Sequence, residues 1–297
     1  MTILVTGATG TVGRRVVEQL LERGEHVRAL TRDPARAEFP AGVEAVRGDL
    51  ADPASLEGAL EGVTGLHLIT FDGGLFAPLA TGEEILERAR AAGVRRVTVL
   101  NGGGDTPMET AVRASGLAWT VVMPVEFMAN ALEWAPGIKA EGVVREPFVD
   151  RLSAMVHESD IGAVAATALT EDGHGGQVYL ITGPQALTVG DKVAAVAAAR
   201  GRAVELVELS EEEALADWRA KGMPEDVIAF LIEVYRDTPP EGKTVIDTVE
   251  KVTGRQARTF AQWAEENAEF FRPSGAGGVP GRPRGAPPRG ASRARSP

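Results

Sequence analysis

The stretch that most constrains the fold is "TILVTGATGTVG", residues 2–13. An apolar run ends at Thr6 and breaks into glycines at 7, 10 and 13, after which the apolar residues recur with helical spacing. A strand running through a glycine-rich turn into a helix exposes free backbone N–H groups at the positive end of the helix dipole, which suits an anion. Gly7 permits a tight turn, Gly10 lets the backbone approach a phosphate, and Gly13 allows close helix–strand packing. Gly7, Thr9, Gly10, Thr11, Val12 and Gly13 are therefore the candidate residues for holding the pyrophosphate of a dinucleotide. The alternative is a glycine-rich turn with no ligand.

The rhythm that follows agrees with this start. Strand candidates are Thr2–Thr6, His26–Thr31, Val43–Arg47, Gly65–Thr70, Arg95–Leu100 and Ala118–Met123, with helical patterns at Val12–Arg23, Pro53–Glu61, Leu79–Ala92 and Pro107–Ser115 between them. Such alternation implies βαβ units and a parallel sheet. Gly24, Gly93 and Gly116 follow three of the helices where left-handed caps belong. From about Ala129 the pattern changes to a Trp- and Pro-containing segment, then a helix starting near Asp160. Strands at 177–182 and 203–209 and helices near 188–200, 210–221, 224–236 and 259–271 follow. The expected organisation is a dinucleotide-binding domain over 1–128, a substrate lobe over 129–272, and a Gly/Pro/Arg tail over 273–297 expected to be disordered. The strand near 177–182 is a candidate to return to the main sheet.

Composition narrows the function classes. Net charge is −11, and five arginines without an acid sit in the last 25 residues, so the body is more acidic still. Such a surface repels phosphate backbones, and a nucleic-acid partner is not expected. The chain has no cysteine, which excludes disulfides, thiol nucleophiles and cysteine-ligated metals. His26, His67, His157 and His174 lack metal spacing, so no metal is expected. At His157, Ser159 or Asp160 is the expected helix N-cap. No secretory leader is recognisable and no apolar run approaches the ~18–20 residues that span a bilayer. The expectation is a cytoplasmic monomer or homodimer without a membrane partner.

The end of the second strand reads "LTRDPAR". Where an NAD site usually presents a carboxylate to the ribose, this chain presents Arg32, with Arg36 within reach. Guanidinium groups there suit a 2′-phosphate, so NADP(H) is the expected cofactor. Asp33 can instead rotate toward a ribose, and both arginines can be ordinary solvated charges.

The spacing "GATGTVG" with "GDL" at 48–50 resembles the extended and atypical short-chain dehydrogenase/reductases. "RASGLAWTVVMPVEFMANALEWAP", "HESDIGAVAATAL" and "GGQVYLITGPQALT" narrow the resemblance to the NmrA-like group, over residues 1 to about 272. That group holds quinone and triphenylmethane reductases and a regulator that binds dinucleotides without turning them over. The resemblance implies a Rossmann-type, doubly wound parallel α/β sheet with a smaller mixed α/β C-terminal lobe. It implies that Asp49 and Leu50 meet the adenine, although Asp49 also reads as a plain loop residue. It places nicotinamide and substrate near the loops 70–74, 101–105 and 124–130. Thr70 and Phe71 thus join the cofactor candidates, Phe127, Met128 and Trp134 border the substrate pocket, and Asn101, Asp105 and Asn130 are the candidate polar orienters. Phe127 and Met128 also read simply as packing residues.

The sequence departs from the group in three places. Met123 stands where an Arg often precedes the proline, and Val125 where a glycine often follows it. Asp105 stands where relatives often carry Lys or His four residues before the Glu matching Glu109.

Neither Tyr179 nor Tyr235 has a lysine four residues on, so the Tyr-x-x-x-Lys acid of short-chain dehydrogenases is missing, as is a G-x-S-x-G elbow. An unactivated ketone needs a proton donor for its alkoxide. A quinone or conjugated dye gives a stabilised product, and positioning carries more of the work. The sequence therefore points to hydride transfer from NADPH to a small quinone-like or conjugated aromatic acceptor. Its rivals are a non-catalytic NADP(H) sensor and a relative recruited to another reaction on an aromatic metabolite.

Overall fold

Alternation along β1 (Thr2–Val5) sets the layering. Ile3 and Val5 join the core on one face of the sheet and Leu4 joins the core on the other, all buried. A strand covered on both faces belongs in the interior of a parallel sheet flanked by helices. The computed structural model describes residues 1–71, 77–101 and 106–273 and contains that sheet. The next strands are β2 (His26–Thr31), β3 (Val43–Arg47), β4 (Gly65–Ile69), β5 (Arg96–Leu100) and β6 (Ala118–Pro124), then β7 (Val143–Pro147), β8 (Gln177–Ile181) and β9 (Glu205–Leu209). The main sheet runs β3-β2-β1-β4-β5-β6-β8, every pair parallel. The chain thus leaves the sheet after β6, builds part of the second lobe, and returns as β8.

Helices cover both faces. In chain order they are α1 (Thr11–Glu22), α2 (Glu57–Leu60), α3 (Gly82–Ala91), α4 (Pro107–Ala114), α5 (Ala135–Ala140) and α6 (Glu158–Thr170). After β8 come α7 (Val189–Arg200), α8 (Glu211–Ala220), α9 (Glu225–Arg236), α10 (Pro240–Lys243), α11 (Thr248–Thr253) and α12 (Phe260–Glu266), of which α11 packs with the α6 core. Leu66, Leu68, Ile85, Val97, Val99 and Val112 pack on the α3–α4 side. On the other side Val12, Val16 and Leu20 of α1 meet Ile161, Val164 and Leu169 of α6. Each such side chain contributes about 1.5–3 kcal/mol on burial. Helix α6 is apolar nearly all round and correspondingly buried. Its Gly162 lets α1 approach closely, since a Cβ there would stand 2.7 Å from the Arg15 carbonyl carbon.

Gly24, Gly93 and Gly116 have φ of 75°, 97° and 72°, as left-handed caps require. Three local expectations need correction. The α6 N-cap is His157, whose Nδ1 accepts the Ser159 N–H at 3.0 Å, rather than Ser159 or Asp160. The helix expected over 259–271 stops at Glu266 and resumes as a 3-10 turn, Ala268–Phe271. The Trp/Pro segment hides α5 and β7, and β7 pairs in parallel with β9 as a separate two-stranded sheet. A third core, including Met128, Val144, Val196, Phe260 and Trp263, fills the second lobe. Apart from Pro273, the Gly/Pro/Arg tail lies outside the described residues.

Candidate cofactor and substrate site

The glycine-rich turn is built by close contacts. Gly7 takes φ +60°, and its carbonyl accepts the Gly10 N–H at 2.9 Å. A Cβ on Gly13 would lie 2.1 Å from that same Gly7 oxygen, so only glycine lets α1 start this near β1. Helix α1 has no side-chain cap and no acid in its first turn. Its leading N–H groups are therefore left for another acceptor.

This turn opens on a cleft of about 470 Å³ at the carboxyl ends of the strands. Gly7 and Thr9 form its base, Arg32, Asp33 and Arg36 its wall after β2, and Asp49 and Leu50 its wall after β3. Ligands of open α/β sheets bind along this edge. A Cβ on Gly48 would press on the side-chain ends of Leu30 and Leu56, at 2.6 and 2.9 Å. Arg32 and Arg36 are exposed, and Arg36 stands 4.0 Å from Asp33, a loose contact that leaves the guanidinium able to turn to a ligand. Asp49 Oδ1 accepts the Ala51 N–H at 2.9 Å, so part of this carboxylate shapes its own loop while the residue lines the cleft.

Other candidates sit differently. Gly10 and Thr11 open α1, and Val12 and Gly13 are buried beneath. Thr70 is buried outside the cleft lining, where Ile69 stands, and Phe71 makes an isolated bridge to Pro78. Asn101, at the end of β5, is buried and donates from Nδ2 to Glu109, which also holds Arg113 at 2.5 Å. Asp105 lies outside the described residues.

After β6 the candidates divide. Phe127 packs against the α6 core and Met128 is buried in the second-lobe core. Asn130 and Trp134 instead line a cavity of about 30 Å³ with Glu126, Glu133, Glu146, Arg151, Met155, Lys192 and Tyr235. Trp134 Nε1 donates to Glu146 at 2.7 Å, and the Arg151 guanidinium lies 3.8 Å over the Tyr235 ring. Burial, reinforced by Glu126, pushes the Tyr235 hydroxyl far above its ordinary range. Lys192, Arg151 and Glu126 were not legible as site residues, because only the second lobe's packing gathers them. The described residues hold no cluster of three or more metal-ligating side chains, and no described helix is long and apolar enough to cross a membrane.

A nicotinamide dinucleotide fits the larger cleft. The glycine cradle would be filled by any Cβ at Gly13, the uncapped start of α1 faces outward, and two guanidinium groups stand where a 2′-phosphate would lie.

Comparison with known proteins agrees with the geometry. Residues 7–172 match the family described as NAD(P)H-binding. The chain is 40% identical over 286 residues to the "(4-alkanoyl-5-oxo-2,5-dihydrofuran-3-yl)methyl phosphate reductase" of Streptomyces griseus, covering 91% of this chain and 99% of that protein. It is 38% identical over 289 residues to the NAD(P)H azoreductase of Xenophilus azovorans, with the same two coverages. Among solved structures, the NADPH-dependent quinone oxidoreductase of Escherichia coli, complexed with NADPH, superimposes with a TM-score of 0.75 at 27% identity, over 90% of this chain and 99% of that one.

Proposed function

The chain belongs to the NAD(P)H-binding family, and from that premise we propose that it is an NADPH-dependent oxidoreductase acting on a quinone-like or other conjugated acceptor. The observation that carries the cofactor choice is the pair Arg32 and Arg36 in the wall of the cleft, where an NAD-selective site would hold a carboxylate. Bidentate guanidinium contacts to a 2′-phosphate are among the stronger hydrogen bonds a protein makes. Gly7, Gly10 and Gly13 form the cradle for the pyrophosphate, Arg32 and Arg36 hold the 2′-phosphate, and Leu50 with Asp49 borders the adenine.

When bound, the nicotinamide supplies hydride. The chain's task is then to hold the acceptor beside it and to exclude side reactions. Asn101 is fixed by Glu109, which is clamped by Arg113, and thus offers a rigid polar group at the end of β5. Asn130 and Trp134 border the acceptor from the loop after β6. The names of the relatives describe reduction of an oxo-dihydrofuran, an azo compound and a quinone. All are π-conjugated functions whose reduced forms disperse charge, which agrees with a site that lacks the Tyr-x-x-x-Lys acid.

The test is to mix purified protein with NADPH and a panel of quinones and azo dyes and follow cofactor absorbance. Saturable oxidation dependent on both protein and acceptor supports the reading. Tight NADPH binding with no oxidation by any acceptor would replace it with a sensor.

A further inference from the structure

We propose that Lys192 and the small cavity it floors receive a carbonyl oxygen of the acceptor, which makes Lys192 a specificity determinant for conjugated carbonyl compounds. The inference rests on the oxidoreductase reading above and adds the group that recognises the substrate.

Along the carboxyl edge of the sheet, the large cleft covers the ends of β2, β3 and β1 and reaches Ile69 at the end of β4. Glu126, two residues beyond the last residue of β6, stands farther along the same edge and is part of the smaller cavity. A dinucleotide whose adenosine end lies by Arg32 and Leu50 extends along this edge toward β5 and β6. Its reactive end therefore faces the side where Glu126 and Asn130 stand.

Lys192 also has unspent hydrogen-bonding capacity. Lys192 is 1% exposed, on α7, and its Nζ donates to Ser153 Oγ at 2.5 Å. The Glu126 carboxylate is 4.0 Å away, beyond hydrogen-bond range. An ammonium has three donors, so two remain without an acceptor among the described residues. The neighbouring polar groups are engaged with one another. Arg151 donates to the Pro147 carbonyl at 2.8 Å and to Glu146 at 3.2 Å, and Glu146 also accepts from Trp134. A buried cation with idle donors is costly to keep. Burial accordingly pushes the Lys192 ammonium below its ordinary range, while Glu126 opposes that shift.

Asn130 and Glu133 are exposed at the rim, and Lys192 and Met155 are buried at the floor. A cavity of about 30 Å³ has room for a water-sized group. It can take a protruding oxygen, with the ring that bears it by Asn130 and Trp134. As that oxygen gains negative charge on reduction, the Lys192 ammonium stabilises it. A cationic dye without such an oxygen gains nothing from Lys192.

The experiment compares Lys192→Met with the unmutated protein. The ratio of kcat/KM for a benzoquinone to that for a cationic triphenylmethane dye should fall about 100-fold, as loss of one oxyanion donor does elsewhere. Calorimetry on NADP⁺-loaded protein should show hydroquinone binding about tenfold weaker, with NADPH affinity retained. Lys192→Gln, which keeps an N–H donor, should recover part of both losses. On the unmutated protein, hydroquinone should outbind 1,4-dimethoxybenzene, whose capped oxygens do not enter the cavity, by about tenfold. That last comparison stands even if the substituted proteins do not fold. Equal losses for quinone and dye, or equal affinity for the two aromatics, would overturn the inference. No turnover in the unmutated protein, with the aromatic preference intact, would instead refute the oxidoreductase reading and leave the binding site standing.

Discussion

Asp160, in the first turn of α6, accepts the backbone N–H of Arg258 at 2.7 Å across 98 residues of sequence. Its neighbours hold other segments. Glu158 accepts the Ala129 N–H at 2.5 Å, and His157 contacts Glu266 at 3.1 Å. His157 Nδ1 accepts from Ser159, so in the neutral imidazole Nε2 carries the proton and donates to Glu266. One helical turn of "HESD" thus fastens the loop after β6, the approach to α12 and α12 itself onto the dinucleotide-binding half. Burial raises both carboxyl groups above their ordinary values.

Asp160→Ala leaves the Arg258 N–H without its partner. It should cost about 1.5–3 kcal/mol, the range for a hydrogen bond to a charged group. Asp160→Asn keeps an acceptor oxygen and should cost less. Urea unfolding with unchanged slope measures both, and equal losses would show that the hydrogen bond contributes nothing.

Gly13→Ala places a methyl 2.1 Å from the Gly7 carbonyl oxygen. Backbone cannot yield as a side-chain tip does, so α1 must shift from β1. NADPH affinity should drop by at least about tenfold, with about 1–3 kcal/mol of stability lost to overpacking. Calorimetry and thermal melting would show it.

Arg32→Ala should narrow the preference for NADPH over NADH. Lost charge-assisted bonds to the phosphate are worth roughly 1.5–3 kcal/mol, about 10- to 150-fold in affinity. NADH affinity should change little. Equal calorimetric affinity for the two cofactors in the unmutated protein would remove the basis for this assignment.

His67 on β4 is fully buried, with Nδ1 at 2.8 Å from Thr98 Oγ1 and no partner at Nε2 among the described residues. Burial lowers its pKa from 6.5 to about 4. The unfolded chain takes up a proton at this histidine below about pH 6.5, the folded chain only below about 4, so acid favours unfolding across that window. Stability should fall by roughly 3 kcal/mol between these limits on account of His67. His67→Gln should flatten that part of the pH–stability curve, as followed by urea midpoints.

The dinucleotide-binding half was largely readable because its signals are local. Gly7, Gly10 and Gly13 follow an apolar strand, and Gly24, Gly93 and Gly116 end their helices where left-handed backbone is needed. The second lobe was less so. β7 is five residues ending in proline, and only pairing with β9 makes it a strand. His157 does not stand out as a cap in the sequence, because serine and aspartate beside it have the stronger intrinsic preference. Lys192, in "GDKVAAVAAAR", carries no local sign of burial. Its burial comes from Ser153 and Glu126, which lie on other segments and leave no mark in the local pattern.

NADPH bound in the Arg32 cleft should reduce acceptors that stabilise their own reduced form. The decisive test is the single-turnover rate of NADPH oxidation at saturating cofactor, with a benzoquinone and with a simple aliphatic ketone. Oxidation should be fast with the quinone and slower by orders of magnitude with the ketone, which needs a proton donor. Reduction of both at similar rates, or of neither, would contradict this mechanism.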